Sequence, residues 1–110
     1  MSSLNILKKS GEFSYVIRNG LIFCRNSLVV HILKSEHPLR FGICVGKKIG
    51  NAVERNKTKR RFREILRGIL PHIEFSGTVV IIARAGCKFL SFNDLRENCF
   101  SLFRKAGLIV

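Results

Sequence analysis

Apolar positions along this chain alternate between helical and strand-like spacing, and the alternation lays out the elements. Phe13, Val16 and Ile17 share one face of a helix that Ser10 can cap and that ends near Gly20. The β-branched run "SLVVHIL", Ser27 to Leu33, predicts a strand, and "EHP", Glu36 to Pro38, predicts a turn. "RFGICV", Arg40 to Val45, then reads as the returning strand, and a further short strand is expected around Leu21 to Cys24. Between Asn51 and Leu70, at roughly 100° per residue, Phe62, Ile65, Leu66 and Ile69 gather on one side of a helix. Asn51 is its expected N-cap, with Glu54 three residues on completing a capping arrangement, and Pro71 marks its far end. "TVVIIAR", Thr78 to Arg84, is apolar on both faces, as a central strand would be. Ser91 with Asp94 opens a last helix, in which Leu95, Cys99, Leu102, Phe103 and Ala106 follow helical spacing. The order α-β-β-α-β-α, with the additional short strand, predicts an α+β sandwich of helices over one sheet. Repeats, low-complexity tracts and linker-like stretches are lacking, so residues 1–110 are expected to form a single domain.

Charge changes the picture. Twenty Lys and Arg against seven acids leave +13, an excess that opposes compaction by self-repulsion. The excess is concentrated in "KKIGNAVERNKTKRRFREILR", Lys47 to Arg67, where nine of 21 residues are basic and only Glu54 and Glu64 are acidic. On the helical wheel Lys59, Arg63 and Arg67, four apart, form a stripe beside the apolar face. Arg55 stands at its upper edge and Arg60 close by, while Lys57 and Arg61 point elsewhere. Solvated helix faces usually mix signs; like charges at this spacing each cost on the order of 0.2–0.5 kcal/mol. A polyanion that supplies the missing counter-charge accounts for the stripe, and a polyphosphate backbone fits best. Lys47 and Lys48, set among Gly46, Gly50 and Asn51 ahead of the helix, extend the anion-attracting surface.

Catalytic groups are what the sequence lacks. "GKKIGN" has neither the spacing nor the Lys-Ser/Thr end of a phosphate-binding Walker loop, and the scattered acids suggest no nuclease metal site. Cys24, Cys44, Cys87 and Cys99 are widely spaced without a C-x-x-C pair, so they read as small, buried, reduced apolar residues. The apolar run Thr78 to Ala83 is too short to span a bilayer, and the lysines of "MSSLNILKKSGEF" follow its apolar patch, the reverse of a signal peptide. A cytoplasmic, membrane-free protein is expected. By its residues the chain binds.

"KKIGNAVERNKTKRRFRE" closely resembles the signature of the protein subunit of bacterial ribonuclease P, K-K-(I/V)-G-N-A-V-x-R-N-x-x-K-R-x-x-R. "LKKSGEFSYVIRNG", "RFGICVGKK" and "VVIIARAG" resemble other stretches of that family, so the likeness covers nearly the whole chain. The resemblance implies an α/β sandwich similar to a domain of ribosomal protein S5, with a left-handed βαβ crossover against the usual preference. It implies two partners, the catalytic RNA subunit and precursor tRNA, with no further protein required. The RNA, with Mg2+ held mainly by it, would perform the hydrolysis that removes the 5′ leader, and the protein alone would be inactive. Lys47, Lys48, Asn51, Arg55, Asn56, Lys59, Arg60 and Arg63 would face the catalytic RNA, and Arg67 joins them on charge. A leader-binding cleft between the first helix and the sheet would include Phe13, Ile17 and His31; many members have a second Phe at the place of Ile17, and a Tyr is common at that of His31. Residues 1–110 are then a single RNA-binding domain. A ribosomal or RNA-chaperone protein, a DNA-binding protein and a metal-dependent nuclease acting alone are the competing readings.

Overall fold

In the computed structural model, which describes residues 4–109, four strands form one mixed sheet with helices on both of its faces. Helix α1 (Ser10–Asn19) leads into β1 (Leu21–Arg25) and β2 (Leu28–Lys34), and β3 (Arg40–Val45) follows. Helix α2 (Ala52–Ile69) connects β3 to β4 (Gly77–Ala83), and α3 (Phe92–Lys105) comes last. Short 3-10 turns occupy Lys47–Ile49, Leu70–His72 and Ala85–Phe89. The α+β class and the element order match the sequence reading, and the extra strand at Leu21 is present.

Strand order is β1-β2-β4-β3, with β1–β2 and β2–β4 antiparallel and β3–β4 parallel. Here the expected return of β3 along β2 needs correcting. The two strands are not neighbours, because β4 is inserted between them. The reason lies in β4 itself: with Val79 and Ile81 on one face and Val80 and Ile82 on the other, it needs cover on both sides. The place between β2 and β3 pairs both of its edges, and its faces are covered by α2 and α3 on one side and by α1 on the other.

The two faces are unequal. Leu28, Val30, Ile32, Phe41, Ile43, Val79 and Ile81 meet Phe62, Ile65, Leu66 and Ile69 of α2 and Leu95, Cys99, Leu102 and Phe103 of α3 in the main core. Against the other face lie α1 and the segment before it, where Val16 and Leu7 pack on Val80 with Phe13, Leu33, Cys44 and Ile82 at the margin. A thinly covered sheet face leaves room for a groove.

Local signals behave as the residues dictate, with two corrections. Asn51 caps α2 through a complete box: its Oδ1 accepts the Glu54 N–H at 2.9 Å, and Glu54 Oε1 accepts the Asn51 N–H at 3.4 Å. Gly50, at φ 149°, makes the turn from Lys47–Ile49 into this cap. Ser91 caps α3 by accepting the Asp94 N–H. Ser10, by contrast, is the first residue of α1 and caps nothing; Lys9 holds the N-cap position without a side-chain bond. The cysteines are free, and Cys87 and Cys99 are buried, but Cys24 is exposed because β1 is an edge strand that only Phe23 anchors to the core.

Candidate nucleic-acid interface

The expected cationic helix has its charge beside its packing face. With Phe62, Ile65, Leu66 and Ile69 fully buried, Lys59 and Arg63 are carried to the flank that overlooks the open edge of β3. There they border a groove of about 720 Å³. Its floor is Ile43, Cys44 and Val45 of β3 with Ile82 of β4; its far wall is α1 with Ser10, Phe13 and Ser14, and the segment Ile6–Lys8 closes one end. Lys8, Lys59 and Arg63 contribute three cations to this lining, and none of the described residues that line it is acidic.

The segment Ile6–Lys8 is held by backbone bonds to β3. The Leu7 N–H donates to the Phe41 carbonyl at 2.7 Å, and the Phe41 N–H to the Asn5 carbonyl at 2.8 Å. This short parallel pairing covers the first half of the β3 edge. Since backbone groups alternate sides along a strand, those of Ile43 face the same way as those of Phe41, beyond where the segment pairs. The groove floor thus offers backbone donors and acceptors as well as apolar side chains.

Phe13 is placed by contact rather than by a bond. A Cβ built on Gly42 would stand 2.5 Å from its Cε1, so the ring lies directly on the glycine. At the preceding residue of the helix, Arg40 ties α1 to the sheet: it donates from Nη1 to Glu12 Oε2 at 2.8 Å and from Nη2 to Thr78 Oγ1 at 3.2 Å. The groove wall is therefore anchored on the side away from the groove.

Of the three residues expected in the leader cleft, the groove brings in Phe13. Ile17 lies a helical turn further on, 38% exposed and outside the lining. His31 faces the α1 side between Ile22 and Val80 and is only 7% exposed, so its ring offers no open face. Burial pushes the His31 pKa down, and its Nδ1 has no partner among the described residues. Burial likewise raises the Cys44 thiol, while the Lys59 ammonium opposes that shift.

Among the residues expected to face RNA, Arg55 and Lys59 are half-buried, whereas Lys47, Lys48, Asn51, Asn56, Arg60, Arg63 and Arg67 are exposed. Lys47 and Lys48 stand in the 3-10 turn ahead of α2. Asn51 has its side chain committed to the cap. Among the described residues none of the Lys and Arg of this segment has a carboxylate within 4.0 Å; the ion pair present is Arg40–Glu12. Sequence reasoning missed Ile6, Leu7, Lys8, Ser10, Ser14, Ile43, Cys44, Val45, Gly46 and Ile82 as groove residues. No local pattern distinguishes them, apart from Ser10 and Ser14 flanking Phe13 at helical spacing. No three His, Cys, Asp or Glu side chains among the described residues come together as a metal-holding group.

Fold and site define a small, basic α+β protein; among the described residues the cations of its charged helix have no carboxylate within 4.0 Å, and the adjoining groove is lined by no acid. The sequence matches the family described as Ribonuclease P over residues 1–107. It is 37% identical over 105 residues to a ribonuclease P protein component of Symbiobacterium thermophilum, covering 94% of this chain and 91% of that protein. It is 34% identical over 110 residues to a Bacillus cereus protein of the same name, with 98% and 96% covered. The fold superposes on the Staphylococcus aureus RNase P protein with a TM-score of 0.88 at 27% identity, covering 98% of this chain and all of that one. For the Thermotoga maritima RNase P protein the TM-score is 0.81 at 28% identity, covering 92% and 96%. The chain belongs to the bacterial ribonuclease P protein family. It is accordingly a component of ribonuclease P, a tRNA-processing ribonucleoprotein with an RNA partner. No helix among the described residues is long and apolar enough to cross a membrane.

Proposed function

We propose that this chain binds the catalytic RNA of ribonuclease P through α2 and the preceding turn, and holds the 5′ leader of precursor tRNA in the groove beside Phe13. The observation that carries the reading is the junction of the two surfaces: Lys59 and Arg63 belong both to the unpaired cations of the helix and to a groove with no acid among its described lining residues. Phosphates against these cations offset the repulsion within the helix. An unpaired leader base lying against Phe13 adds stacking of about 1–3 kcal/mol. Hydrolysis is assigned to the RNA with its own Mg2+, a reading supported by a groove in which no described lining residue is a carboxylate or imidazole that could act as general base. The protein then acts by screening charge and by extending recognition along the leader, in the cytoplasm and without another protein.

The test is reconstitution with the cognate catalytic RNA at low magnesium. Addition of the chain should restore leader cleavage, addition of the Lys59→Ala/Arg63→Ala variant should restore much less, and the protein without RNA should not cleave. Equal rescue by the variant would remove the role assigned to these cations. Cleavage by the purified protein alone would return the reading to a nuclease.

A further inference from the structure

On the flank of α2 away from the groove, Lys57 and Arg61 meet Lys88 around a small depression of about 140 Å³, which also takes in Ile49, Thr58 and Glu54. Three cations face one acid there, and Glu54 is engaged by the Asn51 N–H. Next to Lys88 stands Phe89, 80% exposed, with the Lys88 Nζ 5.0 Å from the centre of its ring. A cation at that distance is attracted to the ring face. An aromatic this exposed is not there for the core.

Its outward position is built in. The turn Ala85–Phe89 is fixed from beneath: Cys87 is buried, its Sγ donates to the Ser27 carbonyl at 3.2 Å, and the Arg84 N–H donates to the same carbonyl at 2.9 Å. Gly86 lies so close to Ser27 that a Cβ would collide with its hydroxyl. Leu90 packs on the core and donates its N–H to the Cys87 carbonyl. With three residues per 3-10 turn, Cys87 and Leu90 share the inner side, which leaves Lys88 and Phe89 facing out. The ring is held out by a fixed support.

We propose that Phe89 and the cations around it form a second RNA-contact site, where an unpaired base of the catalytic RNA stacks on the ring while neighbouring phosphates meet Lys57, Arg61 and Lys88. An open aromatic face beside cations is the arrangement that binds single-stranded nucleic acid without reading its sequence. Charge complementarity selects RNA as the occupant, since the depression is cationic and so is the whole chain, which disfavours a second copy. The proposal rests on α2 being the RNA-facing helix, and it extends that contact over the helix to its other flank. It is separate from the leader groove, which opens on the opposite flank.

The experiment measures equilibrium binding of the full chain to the transcribed catalytic RNA, without precursor tRNA, as a function of salt. Phe89→Leu, which keeps an apolar side chain but no π-face, should weaken binding roughly tenfold at an unchanged salt slope. Phe89→Trp should restore it. Lys57→Ala with Arg61→Ala should flatten the slope by about 0.7 per lost single-strand phosphate contact. Benzoylphenylalanine placed at position 89 should crosslink to the RNA in the assembled particle. Parent-like binding by Phe89→Leu, or a crosslink to a second copy of the chain, overturns the proposal. If Phe89→Leu binds like the parent while Lys59→Ala/Arg63→Ala weakens binding, the RNA-facing role of α2 stands and only the second site falls. If neither weakens it, both fall.

Discussion

Phe13 rests against Gly42 so closely that a single added methyl would displace the ring, which makes this pair a sensitive lever on the groove. Gly42→Ala should shift Phe13 and cost about 1–3 kcal/mol by overpacking, visible as a lower unfolding midpoint. In the reconstituted enzyme it should also weaken the preference for leader-bearing over mature tRNA, as Phe13→Ala should. A destabilised variant with unaltered preference would mean that the ring serves packing only. The cysteines offer a second check at this scale. Burial pushes the thiol of Cys87 up to about 11 and that of Cys99 up to about 12. Both are therefore protonated and shielded at pH 8, and Cys24 is exposed. A thiol-specific reagent should label Cys24 in the native protein, whereas Cys87 and Cys99 should react only after unfolding; mass mapping of the labelled sites decides it.

At the scale of elements, α2 unites a strong start, a buried stripe and an unneutralised charge. The start is where a structural and an RNA-binding role for one residue can be separated. Asn51→Ala removes the side-chain half of the cap and should cost about 1 kcal/mol of stability. Asn51→Asp preserves the cap, because a carboxylate accepts the Glu54 N–H equally well and suits the helix dipole. Its thermal midpoint should match the parent's, and any loss of affinity for the catalytic RNA then reports charge placed against phosphate. Unchanged affinity in Asn51→Asp would leave Asn51 a purely structural residue. The element reading also shows what local pattern hides: β3 is a returning strand in direction, yet its neighbour is β4. The first segment, around Ile6, adds a short pairing to β3 that no apolar alternation announces.

Across the whole molecule the excess of +13 is distributed unevenly, and α2 divides it between two flanks. The groove flank holds Lys59 and Arg63, and the opposite flank holds Lys57 and Arg61 with Lys88. Replacing Lys59 and Arg63 by Ala should weaken RNA binding and flatten the plot of log affinity against log salt by about 0.9 per lost duplex phosphate contact. A slope equal to the parent's would show that these side chains meet only water. Folding should be little affected or slightly favoured, since like charges are being removed from one helix face. Denaturation in the absence of RNA tests this directly.

By itself the sequence determined the elements, their buried faces, the cap of α2, the central character of β4 and the surplus of positive charge. Each of these depends on residues close together in the chain, where helix and strand periods, capping chemistry and charge spacing act. Only the tertiary structure decided that β4 separates β2 from β3 and that α1 covers one face thinly. It also decided that Phe13 lines the groove while His31 is closed off, and that Phe89 is held outward beside Lys88. These outcomes depend on which distant segments meet, and no local period encodes where a strand is inserted or which side of a short turn is pinned to the core.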